Sequence, residues 1–401
     1  MRLAIVGGKL QGIEATYLAA KAGYETVLVD RRGSPPAAGL AGAHVVMDVT
    51  TDEARSRAVL GACDAVLPAC EDDATLAWLS SRVPRWDVPL LFDLDAYRVS
   101  SSKLTSNELF ARLDVPRPRA WPGCGFPVVA KPSSASGSEG VRLARDEEEL
   151  SAARAALEAA GHEVVVEEYV AGPSLSLEVL CWGGHAVPLQ ATGLEFDEGY
   201  DCKRVVAPVG EALADGRRPD GAWDQDVPPG VLPALDSVAV TLAEGLGLRG
   251  LMDVEVMVDD GGPKALEIDA RLPSQTPTAV YWSSGLNIVD LLYRTVRDGR
   301  VPTVERSAGR ACVFEHVQGR DGHLSVLGEH VMGGAAPLTL VPGFFGAHEA
   351  LTDYEPGKRS WSATLIALGA SVCEARVAAD EAVVALAVAE DLKVRPEGEG
   401  S

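Results

Sequence analysis

The sequence predicts an α/β (α+β) fold divided into domains, on three observations: a strand, glycine turn, helix and strand at the start; two apolar runs joined by a loop of small residues; and two later apolar runs carrying acids at alternate positions. At 401 residues the chain exceeds what one core usually supports, so two or three domains are expected. A hydrophobic content of 47% with 23% charged residues is ordinary for a soluble enzyme, and only the polar tail from Pro396 reads as disordered. The net charge of -22 argues against a nucleic-acid-binding surface, which is built from lysine and arginine, and favours small-molecule partners. No apolar stretch reaches the roughly 20 residues of a membrane span. Met1 to Val6 also runs straight into glycines rather than into a leader pattern, so a cytoplasmic location is expected.

The first element is the apolar run Leu3 to Val6, followed by Gly7-Gly8-Lys9-Leu10-Gln11-Gly12, a helical pattern through Lys21 and a second run, Thr26 to Val29, ending at Asp30. A dinucleotide fingerprint would need glycine at position 9, where backbone must approach a pyrophosphate, and Lys9 stands there. Lys9 and Gln11 are instead candidates for a ligand at the carboxyl edge of a parallel sheet, or they shape a tight turn. Runs at Val45 to Met47, Ala65 to Pro68 and Pro89 to Phe92 complete a small α/β unit ending near Asp95. Ser102 to Leu113 reads as a short helix stopped by Pro116. Lys103 lies in its first turn, where a cation is unfavourable against the helix dipole unless an anion is near.

Phe126 to Pro132 is a strand ending in Lys131, and Val141 to Leu143 is its partner across Ser133 to Gly140. Small residues there let backbone fold over a ligand and line an anion nest, though a plain hairpin turn is the alternative. Val164 to Val170 is a strand running into Glu167, Glu168 and Tyr169 before a turn at Gly172-Pro173, and such a segment can offer backbone groups to an adenine edge. The seven cysteines are scattered with no C-x-x-C pair, which predicts buried, inert thiols rather than a zinc site or disulfide framework. The acids come last: Asp253 and Glu255 on one run, Glu267, Asp269 and Arg271 on the next. Residues two apart on a strand share a face, so two rows of carboxylates converge on one cation. Carboxylates gathered this closely call for a hard divalent ion and its phosphate ligands. The alternative is a hairpin with an acidic solvent face.

The order of these parts resembles the ATP-grasp superfamily over residues 97 to 300. That resemblance implies an ATP-grasp fold with a Rossmann-like domain at 1–96, a two-lobed ATP-binding region at 97–300 and a C-terminal α+β domain at 301–401. It further implies that Lys103 and Lys131 contact ATP phosphates, that Ser133, Ser134, Ser136 and Gly137 lie over them, and that Glu168, Tyr169 and Val170 form the adenine hinge. Glu255, Glu267 and Asp269 would hold magnesium, with two ions expected and Asp253 as a further candidate ligand. Pro173-Ser174 stands where many members place a ribose-binding glutamate.

A closer resemblance is to the pyrrolysine-biosynthesis ligases, carried by Gly7 to Gly12, Phe92-Asp93 with Ala96-Tyr97-Arg98, Glu167 to Val170, Ser176 to Val179, Tyr200-Asp201-Cys202, and the run Glu267 to Tyr281 with Ser283 to Gly285. It weakens after about Glu329. That family joins 3-methyl-D-ornithine, or D-ornithine in its place, to the side-chain amine of L-lysine with ATP. A carboxylate is a poor electrophile, so ATP would first convert it to an acyl phosphate, with Lys103, Lys131 and Arg271 offsetting charge as the phosphoryl group moves. The resemblance thus makes Arg271 and Lys131 catalytic. It directs Lys9, Gln11, Glu178, Asp201, Arg271, Ser274 and Gln275 to the amino-acid substrates. A homodimer is the expected assembly. Two other readings stay open: another ATP-grasp amino-acid ligase or ribonucleotide carboxylating enzyme, and an NAD-linked dehydrogenase or non-catalytic nucleotide-binding module.

Overall fold

The computed structural model describes residues 1–134, 140–210, 227–306 and 309–395. Four parallel strands open the chain: β1 (Arg2–Val6), β2 (Glu25–Asp30), β3 (Ala43–Val46) and β4 (Ala65–Pro68), in the order β3-β2-β1-β4. Helix α1 (Leu10–Lys21) connects β1 to β2, α2 (Glu53–Leu60) connects β3 to β4, and α3 (Asp73–Arg82) follows β4. Such strands, covered on both faces, read as continuous apolar runs, and Leu3, Ala4, Ile5, Leu28 and Ala65 are fully buried. Gly7 is needed at the first turn: its φ is +112°, and a Cβ there would lie 2.3 Å from the Ala69 carbonyl oxygen. One expected strand does not form. Pro89 to Phe92 makes a single parallel bridge, Val66 to Leu90, because the run is short and Pro89 has no N–H to donate.

Helices α4 (Leu94–Ser100) and α5 (Lys103–Arg112) lead into a three-stranded antiparallel sheet of β5 (Val128–Pro132), β6 (Arg142–Ala144) and β7 (Val164–Glu168), backed by α6 (Glu147–Ala159). The second sheet of this region begins with β8 (Ser174–Trp182), β9 (His185–Phe196) and β10 (Cys202–Ala207), then, after α7 (Val231–Leu246), β11 (Gly250–Asp259) and β12 (Gly262–Asp269). Helices α8 (Thr276–Ser284) and α9 (Ile288–Asp298) follow. The rest of the chain adds β13 (Ala311–Arg320), β14 (His323–Val326), α10 (His330–Gly333), β15 (Thr339–Pro342), β16 (Glu349–Thr352), β17 (Ser360–Gly369), α11 (Val372–Ala389) and β18 (Lys393–Val394). These strands extend the same sheet through β10 pairing with β13, giving an order β12-β11-β8-β9-β10-β13-β17-β16-β15.

Two of the apolar cores that flank the large sheet position the acid-bearing strands. Leu175, Leu177, Val179, Met252, Val254 and Ile268 pack under α7, whereas Leu180, Leu194, Val205 and Leu251 pack with α8, α9 and α1 from the first domain. Each such fully buried side chain contributes about 1.5–3 kcal/mol, which fixes the first domain against the strands bearing the acids. Four cysteines, 63, 124, 181 and 312, are buried as expected. Cys70 and Cys202 are half-buried and Cys373 is exposed. Among the described residues no helix is long and apolar enough to cross a membrane.

Candidate active site

The acid rows face each other, and a β-bulge between Glu255 and Val256 is what brings them into register. In the β11–β12 ladder Glu255 stands opposite Glu267 and Asp253 opposite Asp269, and on the other side β8 places Ser176 beside Glu255 and Glu178 beside Asp253. The acids do not form the freely solvated face of a surface hairpin, because Asp253 is 3% exposed and Glu255, Glu267 and Asp269 are half-buried, although β12 is the edge strand of the sheet. Burial, reinforced by the neighbouring carboxylates, pushes Glu255 up to about 8 and Asp269 up to about 7, the latter in spite of Arg271. Asp253 is raised well above its ordinary range by burial and by Asp269 and Glu255. Two cations balance the group: Lys103 Nζ is 3.0 Å from Glu267, and Arg271 Nη2 donates to Asp269 at 2.9 Å.

Three cavities adjoin one another here, two of them walled by these carboxylates. The first, of about 590 Å³, lies between the small sheet and the large one. Lys103, Lys131, Glu168, Tyr169 and Val170 all line it, together with Glu255 and Glu267. Lys131 Nζ sits 2.5 Å from Glu167, and both side chains are buried. The Glu168 carboxylate is held by Arg119 and Lys264, so what the segment leaves for a ligand is main-chain. The Glu168 and Tyr169 amides already donate to the Arg119 and Pro127 carbonyls, which leaves the Val170 amide as the next donor along the segment. Gly172 is required here, since a Cβ would lie 1.8 Å from the Val258 carbonyl oxygen.

The small-residue loop is only partly as expected. Ser133 is buried, its hydroxyl 3.0 Å from Ser102, and its carbonyl accepts the Lys103 amide at 2.8 Å, so it anchors α5 instead of lining the cavity. Ser134 is exposed and also lies off the cavity wall. Ser136 and Gly137 lie outside the described residues.

The second cavity is small, about 90 Å³, and holds Asp253, Glu255, Glu267, Asp269, Arg271, Ser274 and Gln275 in its wall, sharing Glu255 and Glu267 with the first. Gln275 has φ +74° and ψ -58°, outside the regions a side chain prefers, at the N-terminus of α8. Its Oε1 is buried with no hydrogen-bond partner. The third cavity, about 600 Å³, opens at the carboxyl edge of the first sheet, where open α/β folds bind ligands. Lys9 and Gln11 line it, and it shares Asp201, Arg271, Ser274 and Glu329 with the second. Gln11 Nε2 donates to Glu71 at 2.8 Å, and Arg271 Nη2 reaches the same carboxylate oxygen at 2.8 Å. Asp201 is paired with His330 at 2.5 Å.

Glu178 departs from expectation. It is 0% exposed and lines none of the three cavities, because the third strand of the row, β8, is covered on that face by α8 and α1. Burial pushes it up to about 7, against a smaller downward pull from Thr276.

Several wall residues were not anticipated. Glu71, three positions past an apolar run, carries a signal that could have found it, namely its place beyond the carboxyl end of a parallel strand. Glu329, His330, Lys203, Glu195 and Arg376 carry none, since tertiary packing alone brings them to the cavities.

An ATP-grasp domain model matches residues 100–199. The 3-methyl-D-ornithine–L-lysine ligase of Methanosarcina barkeri is 35% identical over 331 residues, covering 82% of this chain and 83% of that protein. Its namesake from Methanosarcina mazei is 33% identical over 82% of this chain and 81% of its own length. A D-alanine–D-alanine ligase from Synechococcus sp. (strain JA-3-3Ab) is 26% identical over 51% of this chain and 65% of its own. Among solved structures, the ADP complex of purK, N5-carboxyaminoimidazole ribonucleotide synthetase, superposes with a TM-score of 0.68 at 16% identity, covering 95% of this chain and 96% of that one. The biotin carboxylase–β,γ-ATP complex from Campylobacter jejuni gives 0.68 at 14% identity, over 95% and 91%. These two likenesses establish the ATP-grasp architecture and carry no argument about substrate.

Proposed function

The chain belongs to the family of 3-methyl-D-ornithine–L-lysine ligases, ATP-dependent carboxylate–amine ligases of ATP-grasp architecture, and from that premise we propose that it joins the carboxyl group of 3-methyl-D-ornithine, or D-ornithine in its place, to the side-chain amine of L-lysine. The observation that carries this reading is the run of three cavities: one of about 590 Å³ bounded by Lys103, Lys131 and the segment Glu168 to Val170, one of about 600 Å³ bounded by Lys9 and Gln11, and a carboxylate-walled neck between them.

The neck suits magnesium. Its donors are all oxygens, Glu255, Glu267 and Asp269 with Asp253 behind, and Asp253 Oδ1 is buried without a hydrogen-bond partner. Four carboxylates against Lys103 and Arg271 leave a deficit of positive charge that two ions with a polyphosphate would fill. Bound there, magnesium would screen charge on the transferring phosphoryl group. The protein's own part is positional. Lys103 and Lys131 face the phosphates, the hinge from Glu168 to Val170 faces the base, and Arg271, fixed by Asp269 and Glu71, is aimed at the carboxylate that receives the γ-phosphoryl group. Lys9, Gln11, Asp201, Ser274 and Gln275 surround the amino acids. Because the γ-phosphoryl group goes to a carboxylate, ADP and phosphate accompany the product. Incubation with Mg-ATP, D-ornithine and L-lysine, read by mass spectrometry, should show a dipeptide with ADP; AMP and pyrophosphate in their place would rule out the acyl-phosphate route.

A further inference from the structure

The amine that attacks an acyl phosphate arrives protonated at neutral pH, and the neck holds two carboxylates outside the acid rows, Asp201 and Glu329. Glu329 precedes α10, well beyond the matched ATP-grasp segment, and its amide donates to the Cys202 carbonyl at 3.1 Å. Its side chain lines both the amino-acid cavity and the neck. Its Oε2 is buried with no hydrogen-bond partner. The neighbouring Asp201 offers no such acceptor, because its Oδ2 takes both the His330 amide, at 3.1 Å, and the His330 ring.

We propose that Glu329 takes the proton from the attacking ammonium group of the amino-acid substrate. The inference rests on the ligase reading above. The ammonium gives one proton to Glu329 Oε2, the freed nitrogen lone pair forms the C–N bond, and the bond from the acyl carbon to the phosphate oxygen breaks. The nitrogen's second proton leaves with the phosphate, and one proton remains on the amide.

The groups facing Glu329 suit the task. Burial raises its proton affinity, Asp201 adds to that, and Ser274, Gln275 and Arg271 pull in the opposite direction; Cys202 and His330 complete its surroundings. The unpartnered Gln275 Oε1 supplies a second acceptor for the same nitrogen.

The test uses the full chain with Mg-ATP and D-ornithine, and either L-lysine or hydroxylamine, whose nitrogen is unprotonated at neutral pH, as nucleophile. Glu329→Gln should lower dipeptide formation by about 10²–10⁴-fold, the usual worth of a positioned base, while hydroxamate formation stays within about twofold of wild type. Dipeptide formation at the wild-type rate, or an equal fall in both reactions, would overturn the proposal. Should that variant not fold, Glu329→Asp decides: a fall in dipeptide formation with hydroxamate formation held within about twofold supports the proposal, and an unchanged dipeptide rate or an equal fall in both reactions overturns it. If wild type yields no dipeptide at all, the ligase reading fails and takes this inference with it.

Discussion

The large sheet carries two buried groups of charge, and they are built on opposite plans. In the β10–β13 region Arg204, 2% exposed, lies between Glu195 at 2.5 Å and Glu315 at 2.7 Å, while Arg376 from α11 reaches Glu195 at 2.6 Å. Two cations answer two acids. Burial pushes Glu195 up, but Arg376 and Arg204 outweigh it and hold its carboxyl below the ordinary range. In the β11–β12 region four carboxylates face two cations, and burial with mutual repulsion raises Asp253, Glu255 and Asp269. A buried group balanced within the protein is a structural device; one left short of positive charge requires a partner from outside.

The largest effects should separate the two groups cleanly. Glu267→Gln keeps shape but removes a charge from the proposed magnesium cage, so turnover should fall by roughly two to four orders of magnitude with little change in melting temperature. Arg204→Met should do the reverse, costing about 3–5 kcal/mol of stability because it strands two buried acids. Steady-state kinetics beside thermal melts would show this double dissociation, and a Glu267→Gln enzyme with near-normal turnover would erase the distinction.

The next effect is a pH dependence with a definite sign. Glu255 and Asp269 bind protons more tightly folded than unfolded, with folded values of about 8 and about 7. The stability they confer is therefore present below the ordinary carboxylate range and lost as pH rises toward about 8. The metal-free protein should lose several degrees of melting temperature between about pH 5 and about pH 8. Mg-ADP should flatten that slope, and so, in part, should Asp269→Asn, whose side chain does not titrate. A slope unchanged by either would mean that the acid rows are compensated by groups of the protein itself.

What the sequence made legible follows from the same contrast. The acid rows could be read only in part: period-two alternation groups Asp253 with Glu255 and Glu267 with Asp269, but a regular hairpin across Asp260-Gly261 would set Glu255 opposite Leu266, and it is the bulge between Glu255 and Val256 that brings it opposite Glu267. The hinge and the glycine turn could be read because each occupies consecutive residues. Glu178 could not be placed, since its fate depends on β8 lying beside β11 and on α8 covering it. Glu329 and Arg376 come from two distant segments, and nothing local marks a loop glutamate or a helix arginine as a cavity wall; Glu71, beyond the carboxyl end of β4, was the one whose place could have been read. The Arg204 network was equally invisible: its members lie on four separate elements, and no spacing rule joins them.

The smallest effect belongs to Lys9, a cation outside both groups. Asp30, which would meet a ribose in a dinucleotide site, is here taken up by the main chain: Oδ2 accepts the Gly8 amide at 2.8 Å and Oδ1 the Arg32 amide at 2.7 Å. That acid is therefore spent on holding the turn, and the chemistry of the edge passes to Lys9, exposed at the mouth of the amino-acid cavity. Lys9→Ala should raise the Michaelis constant for one amino acid by roughly tenfold, the equivalent of about 1.4 kcal/mol, and leave that for ATP unchanged. Calorimetric titration with ATP and with NAD completes the test. Measurable NAD affinity in the unmodified protein, or ATP affinity that falls with Lys9, would place a nucleotide at this edge and undo the division of labour between the two large cavities.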